Sequence, residues 1–84
     1  MKLWLISQKI NDDYDTYDCA VVAAPDMWTA KTMHPSNGRT WKNGDDWDEY
    51  GSSWTNPNNV NTEFLGDAAY NIKQGVICAS YHAG

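Results

Sequence analysis

The densest group of chemistry-bearing residues is Asp45-Asp46-Trp47-Asp48-Glu49, set in a stretch that also carries Trp41, Tyr50 and Trp54. Paired carboxylates perform general acid/base work when a deep cleft raises the pKa of one of them, and a chain of 84 residues seldom builds such a cleft. Acidic residues interleaved with aromatics suit another task better, presenting rigid anchors and negative charge to a basic protein surface, because Trp and Tyr dominate interface hot spots. The competing reading folds the same aromatics inward to extend a thin core. Trp47, flanked by carboxylates on both sides, is expected to face solvent, and Trp54, just before the turn into a strand, to pack inside.

A second constellation is Lys31, Arg39 and Lys42 around Trp41. Cations that hold a phosphate beside an indole that stacks a base would make a small nucleotide site, even in a protein of net negative charge. The run from Asp12 to Asp18 begins like a calcium loop at Asp13 and Asp15, but the sixth and twelfth positions, Asp18 and Ala24, are not the Gly and Glu such a loop needs. It reads as a solvated turn. His34 and His82 have no second ligand at metal spacing, and zinc would require Cys19 and Cys78 to converge on both, so no metal or other cofactor is expected. Ser7 and Ser80 lie in no nucleophile motif, and neither a phosphate-cradling nor a dinucleotide-binding glycine loop occurs, so the chain is read as a non-enzyme.

These groups need elements to hold them. Residues 2–10 and 17–24 alternate as strands and, joined by an Asp-rich connection, are expected to form an antiparallel hairpin. Pro25 and Asp26 open a helix of two or three turns over residues 25–34, with Met27, Ala30 and Met33 or His34 as its apolar stripe, closed by Pro35 and the turn residues after it. Residues 35–59 lose periodicity and form a Trp-rich acidic loop, with a short strand or hairpin expected near Thr40-Trp41-Lys42. Residues 60–66 and 76–82 read as two more strands pairing as a second hairpin, linked through one helical turn near Ala68 to Ile72 and re-entering the sheet at Gly75. The expected fold is α+β: one domain over residues 1–84, in the order ββα(loop)ββ, with an antiparallel sheet of four to five strands and one short helix packed on one face. The other sheet face is either solvated or meets a partner.

Composition sets outer bounds. A chain that is 42% hydrophobic and 20% charged folds rather than staying disordered. Six Lys plus Arg against eleven Asp plus Glu give a net charge of -5, which opposes a footprint on duplex nucleic acid. The apolar runs are too short for the roughly 20 residues of a membrane helix, and Met1-Lys2 leads into a strand rather than a signal peptide, so a cytoplasmic protein with no membrane partner is expected. Cys19 and Cys78, both in apolar runs, are then expected to be reduced thiols.

At Leu5-Ile6-Ser7-Gln8, Tyr14-Asp15-Thr16-Tyr17-Asp18, Ala20-Val21-Val22-Ala23-Ala24, His34-Pro35 and the closing run from Gly75 to Gly84, the chain resembles a family of small uncharacterised proteins of bacteriophages and prophages. The resemblance spans most of the chain except the Trp-rich loop. It implies a phage setting, with the host cytoplasm as location, and brings no catalytic residues. Small α+β proteins in that setting are often accessory factors that bind a host component, including inhibitors of antiviral defence, an analogy at the level of setting. The leading expectation is therefore a non-catalytic inhibitor that binds a host defence protein through Trp41, Asp45, Asp46, Trp47, Asp48, Glu49, Tyr50 and Trp54. The alternative is sequestration of a nucleotide signal by Lys31, Arg39, Trp41 and Lys42, in a pocket or between protomers of a homo-oligomer.

Overall fold

The computed structural model describes residues 1–11, 14–49 and 52–82. Two strands, β1 (Lys2–Ser7) and β2 (Thr16–Ala24), pair antiparallel from Lys2 opposite Ala24 to Ser7 opposite Cys19, which is the first expected hairpin. A helix, α1 (Met27–Lys31), follows, and after residues 32–60 come β3 (Asn61–Asp67) and β4 (Gly75–His82). The sheet is antiparallel with the order β3-β1-β2-β4, so the α+β architecture holds with four strands.

The second hairpin is not formed: β3 pairs with β1 and β4 with β2, at opposite edges of the sheet. The β1–β2 hairpin exposes two rows of backbone donors and acceptors, and one added strand on each side satisfies both rows. Asp67 lies opposite Lys2 and Gly75 opposite Ala23, so β3 ends and β4 begins at the same end of the sheet. Residues 68–74 cross that end. Three strand spacings are about 14 Å, well within reach of a segment that can extend by ~3.3 Å per residue. The helical turn expected there is a single hydrogen-bonded turn, closed by Ile72 N–H donating to the Ala69 carbonyl.

Side-chain alternation divides the sheet. Ile6, Ala20, Val22 and Ala24 point to one face, where Ala30 and Met33 from the helical region and Trp47, Trp54 and Val60 from the long loop complete a single core. Trp4 packs at its border, edge-on to Phe64 of β3 with ring centroids 5.4 Å apart. Leu3, Leu5, Cys19 and Val21 point to the other face and are half-buried, with the helix and the Trp-bearing loop both on the far side.

The helix is shorter than the expected two or three turns. Asp26 caps it, accepting a hydrogen bond from Thr29 N–H at 2.8 Å, but by Met33 the chain has left helical geometry to form a bridge with Thr40. Thr32 accepts from Trp41 N–H and His34 donates to the Arg39 carbonyl, which makes the small hairpin anticipated near residues 40–42. Gly38 turns that hairpin with φ 77°, a conformation that favours glycine. So brief a helix presents only Ala30 inward, and Met27, expected on the apolar stripe, is exposed.

Candidate functional site

The acidic segment turns its charge on itself. One Asp45 carboxylate oxygen accepts from the Arg39 guanidinium at 3.0 Å and from Lys42 N–H at 2.9 Å. The Lys42 amide, with Arg39 behind it, holds this carboxyl below the usual carboxylate range. Asp46 accepts from the amide of Asp48 and from the Asn56 side chain, both at 3.0 Å. Asp48 accepts from the Thr55 hydroxyl, from Asn56 through backbone and side chain, and from the Asn59 amide at 3.2 Å. Asn56 in turn accepts from Trp47 N–H at 2.6 Å.

This network corrects the expected exposure of Trp47, which retains only 6% of its surface while Trp54 retains none. The hydrogen-bonded loop folds the indole of Trp47 inward, edge-on to His34 at 5.0 Å and beneath the Arg39 guanidinium at 5.7 Å. Burial is also the main reason that the His34 imidazole is held below its ordinary pKa, with the Arg39 charge adding to it. Trp47 and Trp54 are therefore core, and Asp45, Asp46 and Asp48 are held in the loop's internal hydrogen bonds. Glu49 remains exposed, and Tyr50 lies outside the described residues, as do Asp12 and Asp13 of the first acidic run.

What the scaffold supports is a surface cleft of about 300 Å³ lined by Trp28, Trp41, Asn56, Pro57 and Asn58. Each wall has a local cause. Trp28 stands on the capped helix and is 64% exposed. Trp41 is half-buried, its backbone N–H bound to Thr32 and its indole N–H donating to the Asp45 carbonyl at 3.1 Å. Asn56 is fixed by Asp46 and Asp48, and Pro57 starts a single 3-10 turn (Pro57–Asn59) that carries Asn58.

Of the cationic set, Lys31 sits one helical turn after Trp28, on the same side of α1, with its ammonium donating to the Val60 carbonyl. Lys42 follows Trp41 and is exposed, whereas Arg39 is committed to Asp45 and Trp47. Trp41 is thus the member of both expected sets that lines the cleft. Trp28, Asn56, Pro57 and Asn58 were not singled out from the sequence, although Trp28, an aromatic off the apolar stripe of the helix, carried a signal.

Two indoles beside a carboxamide make a surface that takes a flat ring: the π faces stack it, and the amide of Asn58 offers a donor and an acceptor to its edge, while Asn56, engaged by Asp46, Asp48 and Trp47, shapes the wall. Among the described residues no three His, Cys, Asp or Glu side chains are grouped to share an ion. No protein-family model matches the chain, nor does any curated protein or solved structure.

Proposed function

We propose that this protein is a non-catalytic phage accessory factor that counters a host defence by sequestering a small nucleotide, with the base held between Trp28 and Trp41. One observation carries this reading: a cleft of small-ligand size joins the exposed Trp28 of the helix to Trp41 and the amide-bearing residues of the loop, while Asp45, Asp46 and Asp48 are engaged in internal hydrogen bonds. Lys42 follows Trp41 and is exposed, and Lys31 lies one helical turn after Trp28 with its ammonium on the Val60 carbonyl, so positive charge stands near the cleft without lining it and the net charge of -5 does not bar an anionic ligand locally. Base–aromatic stacking contributes about 1–3 kcal/mol per base, so two indoles account for useful affinity without a deep pocket.

The test is a titration with a panel of mono-, di- and cyclic nucleotides, read by tryptophan fluorescence. Binding should be lost in Trp41→Ala and weakened in Trp28→Ala, and Asp26→Asn should affect it only through the helix. Stoichiometric binding of a host defence protein is the second reading, favoured by the exposure of Trp28, which would then be an interface anchor. In that case nucleotides leave the fluorescence unchanged and a host protein is retained by the wild type and not by Trp28→Ala.

A further inference from the structure

The sheet face away from the helix carries both cysteines. Cys19 lies opposite Ser80 and Val21 opposite Cys78, with no irregularity between these pairs, so the two thiols are diagonal neighbours on adjacent strands and point to the same side. Both are free, Cys19 half-buried and Cys78 exposed, and they line one shallow depression of about 180 Å³ together with Leu5, Val21 and Ser80.

The spacing discriminates between the reactions open to a thiol pair. Diagonal neighbours have Cα atoms roughly 7–8 Å apart, beyond the 4.4–6.8 Å usual for a disulfide, so closure would require the ladder to shift. A single ion between two thiolates needs the sulfurs about twice 2.3 Å apart, a separation that side chains leaning together from these positions can reach. Zinc would ask for four ligands, and no third His, Cys, Asp or Glu is grouped with the pair among the described residues. A cation satisfied by two soft ligands in a line meets no such shortage, and thiolates select Cu(I).

We infer that Cys19 and Cys78 form a two-thiolate site for Cu(I) on the open face of the sheet. Binding displaces both thiol protons: two S–H bonds break, two Cu–S bonds form, two protons go to solvent, and copper stays Cu(I), so no oxidant or reductant is consumed. The complex carries one negative charge, and the exposed side of the depression leaves that charge in contact with water.

The experiment is an anaerobic titration of the purified protein with Cu(I), in competition with the chromophoric chelator bicinchoninate. The expected result is one copper per chain, disappearance of both reactive thiols at one equivalent, and an unchanged monomer or oligomer mass. Cys19→Ser and Cys78→Ser should each weaken binding by at least about 100-fold, more than the loss of an outer-shell partner costs. Both side chains reach the surface, so the variants should fold, and circular dichroism verifies this before the titration. Equal affinity in either variant, or copper that links two chains, would overturn the assignment.

Discussion

Asp48 binds three residues that follow it by seven to eleven positions, Thr55, Asn56 and Asn59, and so staples the two halves of the long loop together. Asp48→Ala should therefore lower the melting temperature clearly, whereas Glu49→Ala, on an exposed neighbour, should leave it nearly unmoved; differential scanning fluorimetry of the two variants decides this. Trp47→Ala removes a buried indole and should cost about 3–5 kcal/mol in chemical denaturation, a large fraction of the stability of a small domain. At this scale the sequence was partly misleading. Charges on both sides of Trp47 suggest an exposed ring, and only the distant Asn56 and Asn59, which satisfy those charges, allow the ring to turn inward. Trp54, which lacks flanking charge, was readable as core, and its complete burial removes it from the expected partner-binding set. His34 adds a pH dependence. Its folded pKa is depressed, so below about pH 6.5 the unfolded chain takes up a proton that the native chain refuses, and stability falls as the pH drops from there toward the native pKa. Thermal melts from about pH 8 to about pH 5 should show this decline in the wild type and a flatter profile in His34→Gln. Asp26 and Asp45 contribute to the acid limb at lower pH, each lowered first by a backbone hydrogen bond, from Thr29 and Lys42 respectively.

Among the elements, the strands were legible because alternation with a buried face marks them one at a time. Their partners were not. Periodicity in residues 60–66 and 76–82 says nothing about which edge each will find, and chain proximity favours a hairpin that the open edges of β1 and β2 outcompete. Nuclear Overhauser contacts provide the check: cross-strand signals should join Val21 to Cys78 and Trp4 to Phe64, with none joining β3 to β4. Amide exchange should be slowest in β1 and β2, which are paired on both sides, and faster in the two edge strands. The helix was readable in position and in its Asp26 cap, but not in length, because the bridge from Met33 to Thr40 that ends it is a tertiary choice.

For the molecule as a whole, one layer of helix and loop covers one face of a four-stranded sheet, and the two faces have different chemistry: paired indoles and amides over the loop side, paired thiols on the other. The α+β class followed from the order of elements in the chain. The cleft did not, because it joins Trp28 of the helix to residues about thirty positions away through a loop whose shape depends on internal hydrogen bonds. The function proposed at this scale is retention of a small molecule by the intact fold. The direct measurement is mass spectrometry of what heat releases from the protein purified out of defence-active host cells, alongside a folded Trp28→Ala/Trp41→Ala variant. The expected result is a phosphorylated, base-containing compound recovered in a one-to-one ratio with wild-type sites and absent from the variant. Wild-type protein that releases no such compound, or a double variant that releases as much, would contradict nucleotide sequestration in the Trp28–Trp41 cleft.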